Sequence, residues 1–428
     1  MIASPAFSDK SYAVLGLARS GLATVEALAA SGARIMAWDS REEARAAVAD
    51  KVRVADPLTT PIDGFSGVVV SPGVPLNRHP ISPRAREANV PLIGDIELFA
   101  QARPTLPPHK VVGITGTNGK STTTALIHHI VKFAGIPTTM AGNIGAPILG
   151  QEPLPERGVY VLELSSYQLD LTQSLDCDVA VLLNISPDHL DRYDGFDAYA
   201  ASKARLFQMQ RGGTAVLDMA TGSRFRPLTG GGHGGAVFTD AIQLEEFGGQ
   251  GCWPALQGPH NAENAAAAIA VAFQLDIDDS AIAEALRTYP GLPHRMERVR
   301  EKDGVLFVND SKATNPTSTA PALAAYPAVH WILGGLPKSD DLDACEPFLD
   351  HVKAAYTIGE AGPMFAQLLA PRLPVRECEM LVEAVGVAAE AAKPGEVVLL
   401  SPACASFDQF RDYEARGDAF RAAVESLK

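Results

Sequence analysis

No apolar run in the 428 residues approaches the roughly 20 consecutive residues that a membrane helix needs. The first residues, Met1-Ile2-Ala3-Ser4-Pro5, lack the basic-then-apolar order of a secretion signal. A cytoplasmic protein without membrane insertion is expected. Cysteine is scarce: Cys177, Cys252, Cys345, Cys378 and Cys404 are an odd number, widely spread and without a C-x-x-C pair, which argues for reduced thiols against a disulfide framework. Positive charge is also in deficit. With 36 Lys and Arg against 50 Asp and Glu the formal charge is −14, and no Lys/Arg-rich run with interleaved aromatics offsets it, so no nucleic-acid partner is expected. Low complexity is confined to Thr229-Gly230-Gly231-Gly232-His233-Gly234-Gly235, read as a flexible turn and given no function.

A chain with 46% hydrophobic and 20% charged residues is ordinary globular protein able to bury several cores. At roughly 100–200 residues per domain its length suits three domains. Tyr12-Ala13-Val14-Leu15 is a buried-strand pattern followed by a glycine turn and a helix pattern from Leu22 to Ala30; further strands are expected at Ile35 to Trp38 and Val68 to Val70. The cluster Arg103-Pro104-Thr105-Leu106-Pro107-Pro108-His109 marks a first boundary, before a strand at Val111 to Thr115. Strands at Val159 to Leu164 and Val179 to Leu183 and an Ala-rich helix from Asn264 to Phe273 follow. A second boundary falls at Tyr289-Pro290-Gly291-Leu292-Pro293, and strands at Val305 to Val308, Trp331 to Leu333, Tyr356 to Ile358 and Val397 to Leu400 alternate with helical stretches after it. The expectation is an α/β protein of three domains, 1–104, 105–291 and 292–428.

The chemistry is most legible at Gly116-Thr117-Asn118-Gly119-Lys120-Ser121-Thr122, between a strand and a helix. Backbone N–H groups and the positive helix end surround phosphate oxygens there; Lys120 neutralises β- and γ-phosphate charge, and Ser121 is placed to ligate Mg²⁺. Ile114 stands where the strict G-x-x-x-x-G-K-[ST] pattern has its first glycine. Glu163, at a strand end, can share the metal with Ser121. His189, in Pro187-Asp188-His189-Leu190-Asp191, follows a strand at the edge where open α/β sheets gather their active-site loops. By periodicity Lys203 reads as an exposed helical lysine. Gly16-Leu17-Ala18-Arg19-Ser20-Gly21, with Asp39 downstream, reads as a dinucleotide fingerprint with alanine at its second glycine.

The phosphate loop, together with Glu163-Leu164-Ser165-Ser166-Tyr167-Gln168-Leu169, Asn184-Ile185-Ser186-Pro187-Asp188-His189-Leu190-Asp191-Arg192, Asn309-Asp310-Ser311-Lys312-Ala313-Thr314-Asn315 and Ser401-Pro402-Ala403-Cys404-Ala405-Ser406-Phe407-Asp408-Gln409-Phe410, resembles the Mur ligase family, the ATP-dependent amide-forming enzymes of peptidoglycan assembly. The resemblance covers essentially the whole chain, is to the glutamate-adding branch, and implies Rossmann-like outer domains around a central domain of P-loop ATPase type. It implies D-glutamate joined to UDP-N-acetylmuramoyl-L-alanine through an acyl phosphate, by a monomer using ATP and Mg²⁺ at two sites. It further implies that Lys120, His189, Lys203 and Lys312 are catalytic, and that Lys203 reacts with CO₂ to give a carbamate. Ser121, Glu163, His189 and Lys203 are the implied metal set. Asn264, Arg295 and Asp310 join the phosphate loop as ATP contacts; Ser20, Asp39, Ser40, Arg41, Ser71 and Asn143 take the UDP-sugar; and Thr314, Lys338, Ser406 and Tyr413 take glutamate.

Other readings remain open on the sequence. A ligase adding L-glutamate or another amino acid shares most of these residues. A nicotinamide-dependent oxidoreductase explains Gly16 to Asp39 but leaves Lys120, Glu163 and Lys312 without purpose, and a nucleotide-gated switch explains the phosphate loop alone. Leu336-Pro337 departs from the Gly-rich, acidic turn common in the family, and proline there bears on the reach of Lys338.

Overall fold

A computed structural model describes residues 1–189, 191–225 and 234–427. The glycine-rich stretch from Thr229 lies outside the described residues except for Gly234 and Gly235, and Gly235 opens a strand. Among the described residues no helix is long and apolar enough to cross a membrane.

Three sheets organise the chain. The first holds β1 (Ser11–Leu15), β2 (Arg34–Trp38), β3 (Arg53–Val54), β4 (Gly67–Val70) and β5 (Leu92–Ile93), parallel in the order β3-β2-β1-β4-β5. The second holds β6 (His109–Thr115), β7 (Thr138–Gly142), β8 (Gly158–Glu163), β9 (Val179–Leu182), β10 (Thr214–Leu217) and β11 (Gly235–Phe238), again parallel, in the order β11-β10-β9-β6-β8-β7. The third holds β12 (Glu297–Lys302), β13 (Val305–Asn309), β14 (Val329–Gly334), β15 (Val352–Ile358), β16 (Val375–Glu379) and β17 (Val397–Leu400) in the order β12-β13-β17-β14-β15-β16, with only β12 antiparallel. Central strands such as β4, β9 and β17 are buried at every residue because helices cover both faces, and this is why they are continuous apolar runs in the sequence.

The chain divides into two compact units, Met1–Gln243 with Ala266–Ala285, and Leu244–Ala265 with Leu286–Lys428. In the first unit the helix Asp95–Ala102 joins the first two sheets: Ile96 and Phe99 enter one core with Leu149 and Tyr160, and the Phe99 and Tyr160 rings lie 5.0 Å apart. Glu97, on the same helix, is buried, and accepts hydrogen bonds from Gln173 N at 2.7 Å, Ser174 N at 2.9 Å and Ser174 Oγ at 2.7 Å. Burying that carboxylate is tolerable only because its lone pairs are met by donors. In the second unit, Trp331, Leu323 and Phe365 fill one face of the third sheet, and Ile332, Val385 and Phe420 fill the other.

In the first sheet the strand order reverses between β1 and β4, which opens a crevice at their carboxyl ends. Gly16 follows β1 with φ +93°, and the Ser71 hydroxyl after β4 donates to Gly16 O at 3.1 Å. Gly21 packs so tightly on this turn that a Cβ would lie 1.9 Å from Gly16 O. Gly21→Ala is expected to destabilise the first unit by about 3 kcal/mol through overpacking, read as an earlier urea transition of the full chain.

Candidate active site

The phosphate loop leaves β6 and enters the helix Lys120–Phe133 through Gly119, whose φ of +82° is a left-handed conformation that favours glycine. Residues after β9 hold the loop from the side. Thr117 N donates to Asn184 O at 2.9 Å and Asn118 N to Asn184 Oδ1 at 2.9 Å, while Asn184 Nδ2 returns a bond to Asn118 O at 3.2 Å. Ser186 N donates to Thr117 Oγ1 at 3.0 Å, and the Tyr199 hydroxyl lies 3.1 Å from the same atom. Gly116 allows this close approach, since a Cβ there would sit 3.1 Å from Leu183 Cβ.

Lys120 Nζ donates to Gly116 O at 2.8 Å and Thr117 O at 2.7 Å. Lys203 Nζ donates to the same Gly116 oxygen at 2.7 Å. The structure corrects the periodicity reading of Lys203: only 1% of it is exposed, because the helix Phe196–Gln208 turns it inward toward the loop and over the Tyr199 ring. Burial first, and then the nearby Lys120 ammonium, push its pKa down to about 7, against the pull of Asp188, Asp170 and Glu163. A substantial fraction of Lys203 is thereby neutral amine near pH 7.

Glu163 ends β8, again with 1% exposure. Its Oε1 accepts from Asn143 Nδ2 at 2.8 Å, and its Oε2 is buried with no hydrogen-bond partner among the described residues. An unmet buried carboxylate oxygen is costly unless a cation meets it. Asn143, expected at the UDP-sugar, thus has its amide nitrogen on Glu163. Gly142 permits this turn, since a Cβ there would strike Glu163 O at 2.1 Å. His189 is exposed at φ +53°, with Nε2 3.5 Å from Asp188 Oδ2. Its ring packs on Tyr167 at 5.1 Å, and the Arg192 guanidinium lies 4.3 Å from the Tyr167 centroid. Among the described residues no three His, Cys, Asp or Glu side chains converge as a metal cluster.

At the first sheet, Asp39 Oδ2 accepts from Leu17 N at 2.7 Å, and Oδ1 accepts from Arg41 N at 2.9 Å and Arg41 Nε at 3.1 Å. Burial would raise this carboxyl, but the Arg41 guanidinium and the two backbone donors outweigh it and hold the pKa at about 2. Ser20 lies in the first turn of the helix Arg19–Ala30, and Ser40 is exposed beside Arg41. The Arg45 guanidinium sits 4.6 Å from the Trp38 ring centroid and donates to Asp39 O and Ser40 O at 2.7 and 2.9 Å.

In the second unit the loops after β13, β14 and β17 carry the expected amino-acid residues. Lys312 Nζ donates to Tyr413 OH at 3.1 Å, and Lys338 Nζ reaches Thr314 Oγ1 at 3.0 Å, so Pro337 leaves Lys338 able to meet its neighbour. Ser406 is buried. Asp310 is buried too; burial pushes its carboxyl up to about 7, while Ser401 Oγ at 2.8 Å and Met296 N, with Arg295 nearby, pull it back. Asn264 Nδ2 donates to Asn261 Oδ1 at 3.1 Å, both side chains being buried.

The sequence motifs point to neither Tyr199 nor Arg416, and Asn184 stands at the start of a motif without being marked by it. This arginine is 1% exposed and, among the described residues, no carboxylate is hydrogen-bonded to it. It donates instead to Ser311 Oγ and Ser311 O at 3.0 and 2.8 Å, Gly334 O at 3.4 Å, Cys404 O at 3.0 Å and Ala405 O at 3.2 Å. One guanidinium thereby ties together three loops. Burial lowers its pKa to about 10, which leaves it charged at pH 7. The signal available was a charge on the apolar stripe of the last helix, in line with Gly417, Phe420 and Val424.

A phosphate loop on a parallel sheet, with a buried lysine and an unmet carboxylate beside it, defines a nucleotide-dependent α/β enzyme. Residues 114–228 match the Mur ligase middle domain, and residues 294–404 match the Mur ligase, glutamate ligase domain. The chain belongs to the Mur ligase family. It is 65% identical to the UDP-N-acetylmuramoylalanine--D-glutamate ligase of Novosphingobium aromaticivorans, covering 100% of this chain and 97% of that protein. It is 57% identical to the protein of the same name from Zymomonas mobilis, with 100% of both covered. The fold is that of the UDP-N-acetylmuramate-alanine ligase of Thermotoga maritima, at TM-score 0.58, 17% identity and coverage of 98% and 100% of the two chains. MurF from Acinetobacter baumannii is similar at TM-score 0.58 and 18% identity, with 98% of this chain and 92% of that one covered.

Arg416→Lys keeps the charge but cannot span all these oxygens. It is expected to raise the KM for the amino acid about tenfold while the ATP KM stays within about twofold. An unchanged amino-acid KM with only a lower Tm would make Arg416 a packing residue.

Proposed function

We propose that this chain joins D-glutamate to UDP-N-acetylmuramoyl-L-alanine, cleaving ATP to ADP and phosphate, as a cytoplasmic monomer in peptidoglycan precursor synthesis. The observation that carries the reading is the group at the phosphate loop: half-buried Lys120 and buried Lys203 on one carbonyl oxygen, with buried Glu163 nearby and one of its oxygens unmet. It gains support from full-length relatives that bear the glutamate ligase name. Three segments share the work: residues 1–104 take the UDP-sugar, 105–291 the ATP, and 292–428 the amino acid.

The sugar-linked carboxylate attacks the γ-phosphorus, the bond from that phosphorus to the β–γ bridging oxygen breaks, and ADP leaves an acyl phosphate. The amine of glutamate then attacks the acyl carbon, phosphate departs with the bonding pair, and the nitrogen gives up a proton to solvent. Two unit charges about 4 Å apart repel by about 4 kcal/mol at an effective dielectric near 20, so cations must meet the first step. Lys120 offers its ammonium from the loop, backed by the N–H groups of residues 116–122. Asn264, Arg295 and Asp310 receive the rest of the nucleotide. Ser20, Asp39, Ser40, Arg41, Ser71 and Asn143 receive the UDP-sugar. Lys312, Thr314, Lys338, Ser406 and Tyr413 hold the two carboxylates of glutamate and leave its amine free.

The residues present fit two Mg²⁺ ions. Glu163 offers an unmet hard oxygen, Ser121 a hydroxyl, His189 an exposed imidazole, and the neutral Lys203 amine can add CO₂, releasing a proton and giving a carbamate oxygen donor. When bound, the ions supply the positive charge that lets two anions meet.

The oxidoreductase reading leaves the buried Lys203 and the unmet Glu163 oxygen beside the phosphate loop without a purpose.

Phosphate release with ATP, Mg²⁺ and UDP-N-acetylmuramoyl-L-alanine is expected to rise on adding D-glutamate and to stay at background with L-glutamate or no amino acid. A rise with L-glutamate alone would assign the other enantiomer, and equal release in all three mixtures would overturn the ligase reading. Lys203→Ala is expected to lower turnover by about 10²-fold, with partial recovery from short carboxylic acids; full activity in that variant would remove the carbamate from the mechanism.

A further inference from the structure

Asp95 is a buried acid that none of the chemistry above uses. It opens the helix Asp95–Ala102 and is only 3% exposed. Together with Ser20, Gly21, Thr24 and Ser71 it lines a narrow cleft of about 10 Å³, room for about one water. The cleft joins Asp95 to the turn built by Gly16, Gly21 and Ser71. Ile96 N donates to one carboxyl oxygen at 3.0 Å.

Among the described residues, the elements packed on this helix turn no ionisable group toward Asp95. β1 and β4 present Val14, Val69 and Val70. On the helix Arg19–Ala30, Arg19 donates to Gly145 O and Glu26 pairs with Lys51. Residues Pro5–Phe7 and Ile148–Gly150 carry no ionisable side chain. Glu97 is committed to Gln173 and Ser174, and Arg103 to Asp176 and Asp178. Burial, opposed only by backbone N–H donors, therefore sets the carboxyl, pushing it up from the ordinary 3.8 to about 6.

We propose that Asp95 tunes ligand affinity at the sugar-nucleotide turn: as a neutral acid it shares the cleft with Ser20 and Ser71 without adding charge, and as a carboxylate it repels the anionic ligand they take. This rests on the assignment of Ser20 and Ser71 to the uridine diphosphate. The sign follows from charge. Protonated Asp95 adds none beside a pyrophosphate, so affinity is highest below its titration and falls as pH rises through it. The same proton is lost near the ordinary carboxylate range in the unfolded chain, so Asp95 also withdraws stability as pH rises from about 4 to about 6. Asp39, the other acid at this turn, is ionised throughout that window. The doubly esterified pyrophosphate of the ligand does not titrate there either.

The test is calorimetric titration of the full chain with UDP-N-acetylmuramoyl-L-alanine, without ATP or Mg²⁺, at about pH 5.5 and about pH 7.5. The unaltered protein is expected to bind about fivefold more weakly at the higher pH, somewhat less than the tenfold of one full pKa unit. Asp95→Asn is expected to bind equally at both, near the acid-pH affinity of the unaltered protein. Asp95→Ser, which keeps an oxygen at the helix start, carries the same comparison if the asparagine variant fails to fold. A pH slope that survives either substitution overturns the proposal, as does a flat profile in the unaltered protein. Absence of binding by the unaltered protein at both pH values would overturn the uridine diphosphate assignment itself.

Discussion

Two lysine side chains share one carbonyl oxygen. Lys120 and Lys203 both donate to Gly116 O, at 2.8 and 2.7 Å, and most of the surrounding structure follows from making that tolerable. Like charges this close raise each other's energy, and burial of Lys203 sharpens the conflict because no water screens it. Glu163, Asp170 and Asp188 relieve it from a distance. What remains unrelieved, burial first and then the neighbouring Lys120 charge, holds the Lys203 pKa down at about 7.

The same constraint explains the bracing of the loop. A carbonyl that accepts from two lysines must not drift, and contacts from outside the loop hold it in place. Asn184 and Ser186, just after β9, supply them through both backbone and side chain, and Tyr199 closes the far side. In the second unit Arg416 solves the converse problem. There one cation gathers carbonyl oxygens from three loops, so that loops rich in small residues acquire a common anchor. Both arrangements trade solvation of charge for definition of backbone.

How much of this the sequence disclosed depended on burial. Central strands were readable because two covered faces impose unbroken apolar runs, as at Val68 to Val70 and Val397 to Leu400. Edge strands were not: Glu297–Lys302 and Val375–Glu379 are charged along much of their length because one side meets water, so they carry no apolar run to find. The helix expected from Leu22 begins at Arg19, since its first turn belongs to the glycine turn and is polar. The phosphate loop, Glu163 and Asp39 were visible as local patterns. Lys203 was misjudged as exposed because helical periodicity says which face a residue shares but not what that face meets. Arg416 escaped because its partners are carbonyls from distant segments, and backbone oxygens leave no trace in residue identity.

The bonds of Glu97 bear on how this chain can be divided. The proline-rich segment near residue 104 reads as a seam, yet the helix just before it places Phe99 in a core shared with the next sheet and its carboxylate on Gln173 and Ser174. A polypeptide ending there would leave the aromatic surface bare and a carboxylate whose donors are gone. Genetic modularity and mechanical modularity therefore part company: a recombination event could exchange the first segment between relatives only if its recipient kept the aromatic socket and the paired backbone donors that receive it.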